Sequence, residues 1–185
     1  MISSQAYLSS TLNSAAFTRW KLGHQAFHIQ LVVINTVVAA AQDAIEADDE
    51  LALVQQFRYL RVLYEAATAN MVYASDFAPS YYDKVIRPSM KPPYLKAGFT
   101  GLLNTEHTAM QKSMRDLRLA LLTKFGTSTK IWPTPIAGAW DEVMRAKREN
   151  RMNHGLVCQK FVPDGASLLK QFYESRKRPS GTRSE

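Results

Sequence analysis

Four histidines and a single cysteine are the side chains in this chain best suited to hold a metal or move a proton. His24 and His28 are four residues apart, so on a helix they share a face. His154 and Cys158 have the same spacing in the segment Asn-His-Gly-Leu-Val-Cys. One neutral imidazole on a bundle helix is enough to ligate a haem iron. A thiol one turn further on is within reach of a vinyl group at the porphyrin rim. The competing reading of Cys158 is a small buried hydrophobe, and of any one histidine a hydrogen-bonded, half-buried side chain. Glu106 and His107 are adjacent and cannot share a helix face, and no pair of Glu-x-x-His motifs is present, which argues against a carboxylate-bridged di-iron centre. With one cysteine there is no intramolecular disulfide and no zinc site that needs two thiolates.

The elements that must position these groups read as helices. Over residues 15–47, Phe27, Leu31, Ile34, Val38 and Ala41 step by three or four, as one face of a helix does, with a bend expected at Gly23. Asp48-Asp49 closes that helix and caps the next, over 50–74, where Leu53, Phe57, Leu60, Leu63, Tyr64, Ala67 and Met71 repeat the pattern. Residues 75–101 hold four prolines and two glycines among Phe77, Tyr81, Tyr82, Tyr94 and Phe99. That predicts a long aromatic loop, and structureless loops of such length are usually functional. A third helix is expected over 104–125, stopped by Gly126. A fourth is expected from 137 or 138 to before Pro163, and a short final helix over 167–173. The fold class is all-α: an antiparallel bundle of about four main helices with one long Pro/aromatic loop.

Composition bounds the possibilities. The chain has 185 residues, 46% of them apolar and 21% charged, the balance of one globular domain. Residues 1–14 carry no basic and apolar leader pattern and read as a flexible N-terminus. The apolar stretch 31–41 is broken by Asn35 and Thr36 and is shorter than the roughly 20 residues a bilayer needs. A soluble, cytoplasmic protein is therefore expected, with no membrane partner. The net charge of +7 gathers at Arg145, Lys147, Arg148 and Arg151 and in the tail 174–185, with Arg176, Lys177, Arg178 and Arg183. No nucleic-acid motif accompanies it, so a solvated helix face and a disordered basic end are the expectation.

Several short segments together resemble the haem-dependent aromatic oxygenases, the superfamily of tryptophan 2,3-dioxygenases and haem-dependent tyrosine hydroxylases. His24-Gln25-Ala26-Phe27 is similar to the His-Gln-Ala-Tyr of the dioxygenases. Asp76-Phe77, a Tyr-rich turn, Arg87-Pro88-Ser89-Met90 and Gly98-Phe99 resemble their Asp-Phe, Ser-Pro-Ala-Ser and Gly-Phe in the same order. Asn153-His154, after a basic helix containing Trp140, matches a third segment. The resemblance runs from about Gly23 to Tyr173, so that 15–173 would be one haem-binding domain.

That resemblance implies a tryptophan 2,3-dioxygenase-like fold and an oxidoreductase that uses O2 or H2O2 on a small aromatic substrate, an amino acid or an indole or phenol derivative. His154 matches the proximal iron ligand and His24 the distal histidine that acts in catalysis. Phe27 would wall the haem, with Tyr82 and Phe99 around the substrate. The family's carboxylate-clamping Arg is missing at Tyr82-Asp83-Lys84, and Arg87 is the nearest replacement. The family's Gly-rich loop is replaced by Pro163-Asp164-Gly165-Ala166-Ser167. The pair His154 and Cys158 resembles the covalent haem attachment of one tyrosine-hydroxylase branch, with His107 as a possible second axial ligand at rest. Arg58, Arg61 and Arg151 are the guanidinium candidates for the haem propionates. A homo-oligomer is expected from the same likeness. Two other readings stay open at this point: a cofactor-free helical module that contacts nucleic acid through its basic patches, and a haem carrier or sensor without turnover.

Overall fold

The structure, a computed structural model, describes residues 4–90, 93–94 and 104–162, and side chains from residue 14 onward. It is all-α, with no strand among the described residues. Four long helices carry the architecture: α1 (Ser4–Glu46), α2 (Glu50–Ala74), α5 (Thr105–Phe125) and α6 (Thr134–Phe161). Between α2 and α5 lie two single turns, α3 (Pro79–Tyr81) and α4 (Arg87–Ser89), joined by a π-helical turn over Tyr82–Ile86.

The helix ends follow local chemistry. Asp49 caps α2 by accepting the Ala52 amide at 2.9 Å, and Asp48 turns the chain at a φ of 56°. The Asn104 side chain accepts the His107 amide at 3.1 Å and starts α5. Gly126, at a φ of 98°, ends it in a conformation that side chains rarely adopt. Pro135 in the first turn of α6 costs no hydrogen bond, because amides there have no helical partner.

All four helices feed one core. Leu31, Ile34, Val38 and Ala41 of α1 meet Leu53, Phe57, Leu60 and Tyr64 of α2. Met110, Met114, Leu117 and Leu121 of α5 join Ile136, Trp140, Val143 and Ala146 of α6. The Phe57 and Trp140 rings lie 5.2 Å apart at its centre. Burying each large side chain contributes about 1.5–3 kcal/mol.

Three features differ from the sequence reading. Helix α1 begins at Ser4 rather than residue 15 and runs through Gly23 without a break. Gly23 serves packing instead: a Cβ there would collide with the Cβ of Ala74, so α1 and α2 touch backbone to backbone. The segment expected as one long loop forms α3, the π-helical turn and α4 up to Ser89, because Pro79 and Pro88 each sit in the first turn of a short helix, where proline is tolerated. The span 14–46 of α1 is, by length and composition, apolar enough to cross a bilayer, contrary to the expectation from 31–41 alone. One third of its apolar window is buried against the bundle. The final helix expected over 167–173 lies outside the described residues.

Directions follow from contacts along the helices. Helices α1 and α2 run antiparallel, with Asn70 of α2 donating to the Gly23 carbonyl at 2.8 Å. Phe57 meets Trp140, Asn150 donates to Thr68, and Lys160 donates to the Ser75 carbonyl, so α2 and α6 run in the same direction. Asn35 donates to Glu106 while Lys124 reaches Ile45, so α1 and α5 also run in the same direction. Successive helices are thus antiparallel, as expected, but two of the neighbouring pairs are parallel.

Candidate functional site

Helix α5 starts at the height of Asn35, where Asn35 Nδ2 donates to the Glu106 carboxylate at 3.0 Å and to its carbonyl at 3.2 Å. Helix α1 continues beyond that height, and from Asn35 back to about Arg19 it runs beside the C-terminal end of α2, which α6 flanks. The bundle therefore has a four-helix section and, past the start of α5, a section framed by three long helices. The turn over 77–90 folds onto this second section. Phe161 of α6 stacks between Phe77 at 4.9 Å and Tyr82 at 4.8 Å. Lys160 ties α6 to Ser75, and Arg19 of α1 donates to the Asp76 carbonyl at 2.7 Å.

The candidate chemistry gathers here. His154 stands between the heights of Asn150 and Lys160, which contact Thr68 and Ser75 of α2. His24 adjoins Gly23, which Asn70 and Ala74 of α2 touch. Both histidines thus belong to the three-helix section. His107, in the first turn of α5, lies at its floor.

On α6, Cys158 Sγ lies 3.9 Å from His154 Nε2. Burial raises the Cys158 thiol, so it stays protonated at neutral pH. Burial lowers the His154 imidazole below its ordinary 6.5, although one side of the ring still faces solvent. Burial also lowers His107, and a charge on His154 lowers it further, which places the two rings within electrostatic reach across α5 and α6. Tyr82 is raised first by burial. Arg87 opposes that shift, while Cys158 and Asp83 add to it. Tyr82 therefore lies within electrostatic reach of both Cys158 on α6 and Arg87 of its own segment. Arg87 also pairs with Asp83 at 3.9 Å.

His24 is the best-oriented imidazole. Its Nδ1 lies 2.7 Å from the Trp20 carbonyl, which can only accept, so Nδ1 carries the proton and donates. The lone pair is then at Nε2. Burial lowers the pKa of His24, while the bond to Trp20 raises it in part. Trp20 holds the ring from the side, with centroids 4.7 Å apart.

Other expected residues are placed as follows. Phe27 is half-buried and packs on the core. Arg61 is engaged by Glu65 at 3.0 Å and Glu142 at 3.5 Å, and Arg58 is exposed on the same helix. Of the three guanidinium candidates, Arg151 alone shares a helix face with His154 and Cys158. Phe99 lies outside the described residues. The reading of the sequence missed Phe161, one turn beyond Cys158 on the same face of α6. It also missed Lys147, which burial and the charges of Arg118, Arg115 and Arg151 lower together. The seven-residue spacing of Lys147 and His154 was the available signal. No group of three or more His, Cys, Asp or Glu side chains that could hold a metal ion occurs among the described residues.

The comparisons with known proteins bear on this arrangement. The chain matches the model of the SfmD 3-methyl-L-tyrosine peroxygenase family over residues 5–138. It belongs to that family. The match covers α1, α2, the π-helical turn and α5, and with them His24, Tyr82, Arg87 and His107; His154 and Cys158 lie beyond its end. Comparison with curated proteins and with solved structures gives no significant match.

Proposed function

We propose that this chain is a haem-dependent peroxygenase that hydroxylates an aromatic amino acid, a tyrosine or a ring-methylated tyrosine, at the expense of hydrogen peroxide. The balance is one C–H bond converted to C–OH, with peroxide reduced to water. The observation that carries the reading is the meeting of His107 with His154, and of Tyr82 with Cys158 and Arg87, at one end of the bundle, in a chain of a peroxygenase family. A tryptophan dioxygenase-like fold is part of the same reading.

The donor set fits a haem. Partial burial favours the neutral form of His154 and His107, the form in which an imidazole would bind iron. His154 is the residue we assign to hold the iron, and His107 would be the second imidazole able to do so. Cys158, a protonated thiol one turn away, is placed to add its S–H across a vinyl group as a single thioether. Arg151 beside Lys147 is the cationic place for propionates, since Arg61 is already held by two carboxylates. When bound, the haem supplies the iron that activates the O–O bond.

The protein's own part is positioning and proton handling. His24 Nε2, unprotonated, accepts the proton of the entering peroxide and returns it to the departing oxygen as water forms. The bond from Nδ1 to Trp20 keeps Nε2 in that role. Arg87 meets the substrate carboxylate, and Tyr82, backed by Phe161, offers its other face to the ring. Phe27 adds to the apolar wall. The small aromatic substrate and peroxide are the partners this site needs.

An absorption spectrum of the purified protein tests the proposal. A Soret band, turnover of 3-methyl-L-tyrosine or L-tyrosine with peroxide, and loss of the band in His154→Ala are expected. A colourless protein, or His154→Ala with normal haem content, overturns the assignment.

A further inference from the structure

Helix α1 carries a second apolar face that is left exposed among the described residues. From Leu22 to Gln42 it holds no charged residue, a run about 30 Å long. One side of that run builds the core through Leu31, Ile34, Val38 and Ala41. On the opposite side Leu22 (50% exposed), Ile29 (64%), Val32 (44%) and Val33 (41%) face outward, with Ala26, Thr36 and Ala39 also exposed. The spacing is a heptad. Leu22, Ile29, Thr36 and Asp43 recur every seven residues, and Gln25, Val32, Ala39 and Glu46 follow three places behind. A stripe with that repeat is what one helix offers to another, not what it offers to water.

Charge selects the occupant. The N-terminal end of the stripe bears Lys21 and the C-terminal end bears Asp43 and Glu46, all exposed. Neither Lys21 nor Asp43 pairs with an opposite charge among the described residues. Val32 stands midway between them. Two antiparallel copies of α1 crossing at Val32 bring each Lys21 to the partner's Asp43, with the apolar stripe between. A parallel pair would set Lys21 against Lys21. The chain as a whole carries +7, so two copies repel on most faces and approach most easily along an uncharged one.

We infer that α1 is the two-fold interface of a homodimer, formed by antiparallel pairing of its outer stripe about Val32 and Val33 with Lys21–Asp43 ion pairs at both ends. The interface is isologous, so each substitution acts twice. It is independent of the catalytic assignment, because His24 lies on the inner side with Trp20.

Light scattering on the full chain during size exclusion measures the state. A dimer is expected at micromolar concentration. Ile29→Asp with Val33→Asp should give a monomer with unchanged helical circular dichroism, a loss of affinity of about 100-fold or more. Lys21→Glu or Asp43→Lys alone should raise the dissociation constant about fivefold or more, and the double reversal should restore it. Val32→Cys should cross-link to itself on mild oxidation, while Leu22→Cys should not. A wild-type monomer, a dimer indifferent to Ile29 and Val33, double reversal without rescue, or a monomer that floats with lipid vesicles each overturns the inference.

Discussion

His107 at the start of α5 and His154 near the end of α6 sense each other: a positive charge on His154 makes His107 harder to protonate. The two rings come from helices that share no short connection at this end of the molecule. Their proximity is the geometric basis for assigning one as ligand and the other as a resting-state partner. His107→Ala is therefore expected to keep its haem and shift from a six-coordinate to a five-coordinate spectrum. His154→Ala should lose haem altogether. Identical spectra for His107→Ala and wild type would remove His107 from the iron.

Cys158 offers a separate readout. If its thiol adds to a vinyl group, haem stays with the chain through denaturing electrophoresis. Cys158→Ser should release haem under those conditions and retain it in the native protein, where His154 still binds. A haem stain that survives in Cys158→Ser would place the covalent bond elsewhere.

Arg87 should report on the substrate carboxylate. Arg87→Ala is expected to raise KM for the amino acid about 10- to 100-fold, the worth of one charge-assisted hydrogen bond. The matching phenol without a carboxylate should be nearly indifferent to the change. Equal losses for both substrates would mean that Arg87 acts by holding the π-helical turn through Asp83.

Stability of the cofactor-free protein should fall in mild acid. Folding lowers the pKa of His24, His107 and His154 below 6.5, each chiefly by burial. Between the lowered values and 6.5 the unfolded chain binds more protons, so stability rises with pH there. It is complete above 6.5 and is lost as pH falls through the folded-state values. Urea midpoints measured between pH 7.5 and 5, roughly the histidine range, should decline, and His24→Gln should flatten the slope.

Gly23→Val tests the backbone contact of α1 and α2. The new side chain meets Ala74 Cβ and Cα, so a loss of about 1–3 kcal/mol is expected from overpacking. Pairing it with Ala74→Gly should recover part of the loss in thermal melts.

The helices and their caps were legible in the amino-acid order because they rest on local rules. A three-to-four residue apolar step buried Leu31, Ile34, Val38, Leu53, Phe57 and Leu60 as read. Asp49, Asn104 and Gly126 marked boundaries through hydrogen bonds within a turn of themselves. His154 and Cys158 came from one helical spacing and His24 from its motif. What tertiary structure decided was which helices lie side by side and at what height. Local periodicity carries no information on either. The Asn35–Glu106 bond starts α5 partway along α1, and that offset opens the three-helix section where the histidines gather. The fold also made Gly23 a contact rather than a bend, packed the π-helical turn against Phe161, and brought Glu142 to Arg61. Each of these depends on side chains far apart in the chain, whose meeting only packing can arrange.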